Sequence, residues 1–531
     1  RCVGARTRSS AQAECLHYLG TTSAWKGLVR QLARRAYCDN NDSVEQDEIL
    51  LRSMQSNDVS DASEQTTTPS SIQSVLALKF RIAEKRLLGQ VGGIKFEQCS
   101  DFRRVEITES LLIEQTASAQ LSQNRKEEIQ HAVERFNVFI ESLDLPICNV
   151  KAAYIDDNVR VGVVATKDIT EGEIYLSMPS SSSVISLETA TVGKDSVLAN
   201  QVLNDLKRNH RDGGFDALLF YLLHETYVAK EKSKWYAYIQ VLPSLDDLKL
   251  HSPLFFDQDM LGYLAGSDVR IRMIEHQKRA KEGFQEFATN MQIVKSLGMD
   301  HVTLHTYLWG YAIIHSRSIW WSGTRHLVPM LDLVNCAQLN NSRGVEAAAH
   351  ETNLDDFNNA ITIASTTFQQ GNQVFENYSQ PNYVFFLYHG FVLDGNSQDC
   401  ILIDRIGDYF VKDIEESETS RERLMKNGFR SYSPSFCIRD LKSLNNLANF
   451  IRIKNGIEGD NLGLDLDIIG LVKEELQRRS NLFDDVGYRF QGDGNFSYPV
   501  HAMRIVVQGE KRILETVIRD LDDLIQRVST H

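Results

Sequence analysis

The chain has 531 residues, of which 42% are hydrophobic and 24% are charged. This length and composition indicate a soluble globular protein with more than one domain. The formal net charge of -14 argues against general affinity for nucleic acids or anionic membranes, although it leaves open a basic segment of another protein as a partner. No apolar run reaches the roughly 18 residues of a membrane-spanning helix, so we expect no nucleic-acid partner and no membrane association.

The eight cysteines are scattered, and none shows the spacing of a zinc site or of a compact disulfide framework. We therefore expect an intracellular protein, cytoplasmic or nuclear, with reduced cysteines and no metal site. The chain begins with Arg1 and not with methionine, which suggests that the N-terminus is truncated. A plastid location is therefore not excluded.

Residues 53–74 are rich in serine and threonine and nearly free of large apolar side chains. Such a segment cannot bury enough surface to offset its ordering entropy, so the composition predicts a disordered loop. Residues 124–143 place apolar side chains at helical spacing with charged side chains opposite, which predicts an amphipathic helix. We interpret residues 96–145 as a helical linker.

The pattern changes after about residue 150. Residues 152–179 alternate short β-branched runs with turn residues and predict small antiparallel strands. Residues 198–320 form long apolar runs with few helix-breaking residues and predict helices. Short strands are predicted again at 360–365 and 373–378, and helices from about residue 405 to the end.

An internal repeat connects the two ends of the chain. Residues 78–91 parallel residues 503–517 around a shared Glu-Lys-Arg, and residues 27–37 parallel residues 470–481. The alternative is a pair of unrelated amphipathic helices that share a common tripeptide. Because two elements match in the same order, we interpret residues 1–95 as a partial upstream copy of the C-terminal helical domain.

Four segments carry most of the functional information. Signatures of nucleotide-binding loops, zinc proteases and serine hydrolases are absent from the sequence. The four segments are VRVGVVATKDITEGEIYLSMP (159–179), IIHSRSIWW (313–321), LVPMLDLVNCAQ (327–338) and VFENYSQPNYVFFLYHGFVLD (374–394). Their order resembles the SET-domain protein methyltransferases, in particular the branch of the rubisco large-subunit and actin methyltransferases.

The resemblance implies an α+β fold, in which a small antiparallel-strand SET core is split by a helical insertion. An all-α substrate-binding domain of the rubisco-methyltransferase type then follows the core. The implied boundaries are 146–199 for the first part of the core, 200–320 for the insertion, 321–394 for the second part of the core and 407–525 for the substrate-binding domain.

The resemblance also implies a reaction, the transfer of a methyl group from S-adenosylmethionine to a protein nitrogen. The protein has to align a neutral nitrogen with the methyl group and to exclude water. We therefore expect a monomeric protein-lysine N-methyltransferase that binds S-adenosylmethionine. Its partner is expected to be a non-histone protein substrate, whose identity the sequence does not reveal.

Two residues match the reacting centre of the family. Tyr378 matches the catalytic tyrosine, where a phenol can hydrogen-bond the acceptor nitrogen without adding a full charge. The pattern leaves open whether Tyr378 removes a proton or only orients the nitrogen. Arg317 matches the arginine that contacts the methionine moiety of the cofactor, since a guanidinium pairs well with a carboxylate. Asn382 matches a recurring asparagine for which we expect a helix-capping role.

The remaining site residues are also assigned through the resemblance. The main chain of Val159, Arg160 and Val161 is expected to lie against the cofactor, with Gly162 allowing the close approach. The main chain at Asn335–Cys336 is expected to contact the adenine. The residues expected on the substrate side are Asp332, His389 and Phe391.

The chain departs from the usual residues of the family at four positions. The departures are Arg160 in place of a second glycine, Cys336 in place of a histidine, His389 in place of a tyrosine and Trp321 in place of a second arginine. They leave two alternatives open: an actin-type protein-histidine methyltransferase, and a catalytically inactive SET protein that acts as a binding module. A pure helical-repeat scaffold is disfavoured by the predicted strands.

Overall fold

The computed structural model describes residues 123–193, 196–289, 291–403, 418–428, 435–454, 466–487 and 497–529. Nearly all of these residues belong to the unit Lys126–His531. Several predictions lie outside the described residues: the upstream copy at 1–95 with its loop at 53–74, the first part of the 96–145 linker and several stretches of the 407–525 domain.

The first described helix, α1, covers residues 123–141, close to the predicted 124–143. Its buried apolar side chains recur every three or four residues: Ile129, Ala132, Val133, Phe136 and Ile140. Asn137 on this helix exchanges two hydrogen bonds of 2.9 Å with the main chain of Ala152. Because an asparagine side chain carries both a donor and an acceptor, it covers the free edge of the strand that contains Ala152.

The strands of the core form two four-stranded sheets and one ribbon. Their bounds are β1 (Ile147–Cys148), β2 (Val150–Tyr154), β3 (Val161–Ala165), β4 (Ile174–Pro179), β5 (Ile319–Trp321), β6 (Thr324–His326), β7 (Asn335–Cys336), β8 (Asn353–Leu354), β9 (Asn359–Ile363) and β10 (Gln373–Glu376). One sheet has the order β1-β4-β9-β8, the other has the order β2-β3-β10-β7, and β5 pairs with β6. The predicted antiparallel strands are confirmed, except that β7 and β10 pair in parallel. A parallel pair needs a long crossover, and the chain between these two strands provides it.

Helices separate β4 from β5 and form the insertion. Their bounds are α2 (Val197–Arg208), α3 (Phe215–His224), α4 (Tyr236–Val241), α5 (Leu245–His251), α6 (Gln258–Leu261), α7 (Asp268–Thr289), α8 (Met291–Ser296) and α9 (Leu304–Arg317). Capping boxes mark the start of two of them, with Ser244 before α5 and Thr303 before α9. The helical prediction for residues 198–320 is therefore confirmed.

The C-terminal part is mainly helical. The bounds are α10 (Asn382–Val384), a π-helical turn (Phe385–His389), β11 (Ile401–Ile403), α11 (Glu418–Lys426), β12 (Phe436–Ile438), α12 (Leu441–Lys454), α13 (Leu466–Gly487) and α14 (Tyr498–Ser529). Strands β11 and β12 pair antiparallel, so this part also contains a small sheet that the sequence did not indicate.

A disulfide bond joins Cys400 to Cys437 beside this small sheet. The expectation of reduced cysteines is therefore wrong for this pair. The two residues are separated by 37 positions, which is not a recognisable spacing, and only the pairing of β11 with β12 brings their Cα atoms within 5.3 Å.

Two clusters of buried apolar side chains stabilise the described part of the chain. The first is built from α1, the strands and the insertion helices, and includes Phe136, Tyr175 and Tyr238. The second is built from the C-terminal helices together with Leu264 and Val269 of the insertion. Because the second cluster contains residues of both parts, the insertion and the C-terminal helices pack on each other. Each large apolar side chain buried in this cluster contributes about 1.5–3 kcal/mol to the stability of the fold. None of the described helices is both long enough and apolar enough to cross a membrane.

Candidate active site

All ten residues assigned to the site from the sequence line one cleft. The cleft has a volume of about 470 Å³, which lies within the roughly 300–1,000 Å³ of small-molecule sites. The ten residues are Val159, Arg160, Val161, Arg317, Asp332, Asn335, Cys336, Tyr378, His389 and Phe391. Residues so distant in sequence meet because β3, β10 and β7 follow one another in one sheet, and because the last residues of α9 and of the π-helical turn, Arg317 and His389, reach the same cleft.

Tyr378 lies two residues beyond the end of β10, and its hydroxyl donates a hydrogen bond of 2.6 Å to the carbonyl of Val334. Burial raises the pKa of Tyr378 well above its ordinary value, and the nearby Glu376 adds to the effect. The phenol is therefore neutral at physiological pH. Since its proton is engaged by Val334, its oxygen has lone pairs left to accept a hydrogen bond. This arrangement suits the orientation of a nitrogen better than the removal of a proton.

Arg317 is the last residue of α9 and is held by Asp332. Its Nη1 atom donates to the main-chain carbonyl of Asp332 at 2.5 Å and lies 3.8 Å from the carboxylate Oδ2. Tyr238 of α4 donates to the same Oδ2 at 2.5 Å. Burial raises the pKa of Asp332 to about 6, while Arg317 and Tyr238 oppose this rise. The Asp332 side chain is 0% exposed and contacts these two residues, so its assignment to the substrate side stays a prediction.

The turn between β2 and β3, whose main chain is predicted to contact the cofactor, lines the cleft. The Asp156 carboxylate accepts hydrogen bonds from the main-chain N–H groups of Asn158 and Val159, which closes the turn. Arg160 follows with a φ of +64°, in the left-handed region that favours glycine. This conformation gives a physical reason for the glycine that the resemblance implied at this position.

Gly162 makes room for neighbouring side chains, and the expectation that it allows the cofactor to approach the main chain stays a prediction. A Cβ atom at this position would lie 2.7 Å from Nδ2 of Asn335 and 2.6 Å from Nε2 of Gln373. The Asn335 amide donates to the carbonyl of Val161 at 3.3 Å, so it connects β7 to the start of β3. Burial raises the pKa of the Cys336 thiol to about 11, which keeps the thiol protonated at neutral pH.

His389 and Phe391 lie with Tyr378 in a group of aromatic rings. The Tyr378 ring centroid is 5.8 Å from that of His389 and 6.5 Å from that of Phe391, and Phe391 stacks on Phe385 at 4.8 Å. Burial lowers the pKa of His389 to about 4, and the positive charge of Arg317 acts in the same direction. The imidazole is therefore neutral, and this end of the cleft carries aromatic rings without a charge of their own.

Asn382 does not cap a helix, so the expectation of a capping role is wrong. Its side chain donates to the Leu393 carbonyl at 2.8 Å and accepts from the Leu393 N–H at 2.7 Å, and it also donates to Oδ2 of Asp399 at 2.8 Å. The residue is 1% exposed. It therefore fastens the segment after Tyr378 to the chain that leaves the π-helical turn.

The cleft also contains residues that the sequence analysis did not single out. Asp247 and His251 come from α5, Gln373 from β10 and Tyr498 from the first turn of α14. No local sequence signal marks these residues, since most of them reach the cleft only through the packing of the insertion and the C-terminal helices.

The unused polar atoms of the cleft favour a ligand with acceptor groups. Nε of Arg317 and Nε2 of Gln373 are buried and have no hydrogen-bond partner within the described ranges. A buried donor without a partner costs about 1–3 kcal/mol, so an acceptor on a ligand would be stabilised here. In the part of the chain that the structure describes, no group of three or more His, Cys, Asp or Glu residues could hold a metal ion.

No protein-family model matches the chain. Among curated proteins, the actin-histidine N-methyltransferase of Danio rerio is 26% identical over 253 residues, which are 46% of this chain and 39% of that protein. The chloroplastic ribulose-1,5-bisphosphate carboxylase/oxygenase large-subunit N-methyltransferase of Pisum sativum is 26% identical over 207 residues, which are 38% of this chain and 37% of that protein. The matched region thus spans less than half of the length of these relatives.

Solved structures are similar over a larger share of the chain. A structure of rubisco LSMT bound to sinefungin and monomethyllysine has a TM-score of 0.57 and 18% sequence identity, and the match covers 75% of this chain and 93% of that chain. A likeness at this identity concerns the fold. The resemblance inferred from the four sequence segments is thereby confirmed: the chain has the fold of the SET domain of rubisco LSMT, and the sequence relatives it matches include methyltransferases of rubisco and of actin.

Proposed function

We propose that the chain is an S-adenosylmethionine-dependent protein methyltransferase that modifies a lysine side chain of a non-histone protein. The observation that carries the proposal is the convergence of Tyr378, Arg317 and the Val159–Val161 turn on one cleft of ligand size. The similar structure of rubisco LSMT, which is bound to monomethyllysine, supports lysine as the acceptor. The intracellular location and the monomeric state inferred from the sequence stay predictions.

The cofactor end of the cleft is assigned to Arg317 and to two main-chain segments. The buried Nε of Arg317 is without a hydrogen-bond partner among the residues described, and a guanidinium suits the carboxylate of S-adenosylmethionine. The main chain at Val159–Val161 and at Asn335–Cys336 would hold the rest of the cofactor. When bound, S-adenosylmethionine supplies a methyl group activated by a sulfonium.

The acceptor end is assigned to Tyr378, His389 and Phe391. The neutral phenol of Tyr378 can accept a hydrogen bond from the acceptor amine and so direct the nitrogen lone pair. Enclosure in the cleft and the positive charge of Arg317 both lower the pKa of an amine, which favours its neutral, nucleophilic form. The surrounding rings exclude water from the reacting atoms. The residues of the 407–525 region would bind the protein substrate.

An actin-type histidine methyltransferase is the second candidate. Similarity to the actin-histidine N-methyltransferase of Danio rerio supports it, together with His389 in place of a tyrosine at the acceptor end. A catalytically inactive binding module is the third candidate, supported by the departures at Cys336 and His389. The neutral, correctly hydrogen-bonded Tyr378 argues for catalysis.

The test is the transfer of a labelled methyl group from S-adenosylmethionine to proteins of a lysate, followed by mass spectrometry of the modified residue. We expect modified lysine, and we expect Tyr378→Phe to reduce labelling by about 100-fold, because a misplaced reacting group costs roughly that much in rate. Tyr227→Phe, at a tyrosine that packs against Trp309 outside the cleft, is the matched control and should label like the wild type.

Three other outcomes decide between the candidates. If the labelled residue is a histidine, the acceptor is histidine and the lysine proposal is wrong. Binding of S-adenosylmethionine without any labelled protein would favour the binding module, and the absence of binding would end the enzyme proposal.

A further inference from the structure

One ion pair crosses the cleft between two parts of the chain that lie far apart in sequence. Nε of Arg160, at the start of β3, lies 3.0 Å from Oδ2 of Asp247 in α5 of the insertion. The side chains are only 13% and 4% exposed, and both residues line the cleft. Because the two groups are largely withdrawn from water, their attraction is screened less than that of a surface ion pair.

The backbone conformation of Arg160 does not favour an arginine at this position of the turn. Its φ is +64°, which is disfavoured for every residue with a Cβ atom and suits glycine. The conformation is held by main-chain hydrogen bonds, from the Arg160 N–H to the Asp156 carbonyl and from the Ile155 N–H to the Arg160 carbonyl, both of 2.8 Å. A disfavoured conformation kept at the edge of a cleft points to a role for the side chain.

Asp247 is also held in place by hydrogen bonds that do not involve Arg160. Its Oδ2 atom accepts hydrogen bonds of 2.7 Å from both the main-chain N–H and the hydroxyl of Ser244. The Asp247 N–H in turn donates to the Ser244 Oγ at 3.2 Å, which completes the capping box of α5. The carboxylate therefore moves together with the first turn of this helix. The pairing of Arg160 with Asp247 consequently fixes α5 itself and not only one side chain.

The other end of α5 is held by the C-terminal part of the chain. The ring of His251 packs against that of Tyr498 at a centroid distance of 4.8 Å. The main chain of His251 lies so close to Gly390 that a Cβ atom there would be 2.8 Å from the His251 oxygen. Helix α5 thus forms a wall of the cleft, and the Arg160–Asp247 pair fixes its position on the cofactor side.

We propose that Arg160 and Asp247 are positioning residues, which hold α5 against the cofactor turn and thereby slow the release of S-adenosylmethionine. The inference rests on the proposed function. On this proposal, the arginine that replaces the glycine of the family adds a contact that retains the cofactor, and its presence does not mean that the cofactor site is lost.

The test compares Arg160→Gly, Asp247→Asn and the double variant with the wild type. The measurements are the Kd of S-adenosylmethionine by calorimetry, its dissociation rate by stopped-flow displacement and the Tm of the protein. We expect Arg160→Gly to release S-adenosylmethionine about 10-fold faster with little change in Tm, because the backbone relief from glycine offsets the loss of the cation beside Asp247, whose Oδ2 keeps its two hydrogen bonds from Ser244. Asp247→Asn keeps an oxygen for the capping box and should accelerate release to a similar extent. The double variant should resemble either single variant, since both remove the same contact.

The possible failures are distinguishable. If the wild type does not bind S-adenosylmethionine, the proposed function and this inference both fall. If the wild type binds and Arg160→Gly releases the ligand at the wild-type rate, only this inference is wrong. Faster release accompanied by a lowered Tm, or additive effects in the double variant, would assign the pair a merely structural role and would also overturn the inference.

Discussion

Two buried carboxyl groups of this chain each accept a hydrogen bond from a tyrosine, but they differ in their second neighbour. Asp332 lines the cleft, accepts from Tyr238 and has Oδ2 3.8 Å from the guanidinium of Arg317. Glu376 is not among the residues that line the cleft and accepts from Tyr175. Its second neighbour is a histidine.

The comparison shows that the neighbouring cation decides which carboxyl group is charged. Burial raises the pKa of both groups, to about 6 for Asp332 and to about 8 for Glu376. His350, with Nδ1 3.1 Å from Glu376, does not supply a charge, because burial lowers its own pKa to about 4. At neutral pH the carboxyl group beside Arg317 is therefore mostly ionised, and Glu376 is mostly protonated. The negative charge of the site is thus placed where it holds Arg317.

Removal of the Arg317 guanidinium should have the largest effect on stability, because it takes away the neighbour that distinguishes Asp332 from Glu376. Arg317→Ala leaves Asp332 buried without its cation, so we expect the free energy of unfolding at neutral pH to fall by about 3–5 kcal/mol in urea unfolding. The affinity for S-adenosylmethionine should fall roughly 10–100-fold in calorimetry, since a hydrogen bond to a charged group contributes about 1.5–3 kcal/mol. Arg208→Ala, which removes an exposed ion pair with Asp205, is the control and should cost less than about 1 kcal/mol. An unchanged stability of Arg317→Ala would contradict the role assigned to the cation.

The pH dependence of stability should reveal the protonated state of Glu376. Its folded-state pKa of about 8 lies above the ordinary 4.5, so the stabilisation that it provides is fully present below about pH 4.5 and is lost as the pH rises through about 8. At about 1.4 kcal/mol per pKa unit, the wild type should lose up to a few kcal/mol over this range. Glu376→Gln mimics the protonated acid without titrating, so its loss should be smaller.

The measurement is the slope of unfolding free energy against pH for both proteins. The slopes are compared because Glu510, whose pKa burial also raises to about 8, titrates in each of them. Parallel curves for the wild type and Glu376→Gln would mean that Glu376 is already ionised, and the proposed contrast with Asp332 would be lost.

The two tyrosines offer the smallest and most direct comparison. Tyr238→Phe removes a donor from an ionised carboxylate and should cost about 2 kcal/mol, whereas Tyr175→Phe removes a donor from a neutral acid and should cost about 1 kcal/mol. Urea unfolding at neutral pH measures both. If Tyr175→Phe lowers the free energy of unfolding more than Tyr238→Phe does, then Glu376 and not Asp332 is the ionised group.

Much of the fold was predictable because it depends on local patterns. The apolar spacing of residues 124–143 predicted α1, the alternation in residues 152–179 predicted β2, β3 and β4, and the short strands predicted at 360–365 and 373–378 are β9 and β10. The small sheet of β11 and β12 was missed, because strands of three residues are too short to show a period. The ten residues that the resemblance of four segments assigned to the site line one cleft, yet the capping role expected for Asn382 was wrong.

By itself, the sequence determined the type and order of the longer elements and, through the resemblance, ten of the residues that meet at the cleft, since both are carried by short stretches of neighbouring residues. Only the tertiary structure decided the partners that come from distant segments: Asp247 for Arg160, and Cys437 for Cys400. It also decided that Arg317 opposes the rise in the pKa of Asp332, whereas no cation among the described residues opposes that of Glu376. A pKa depends on burial and on the distance to the nearest charge, and neither quantity exists before the chain is folded.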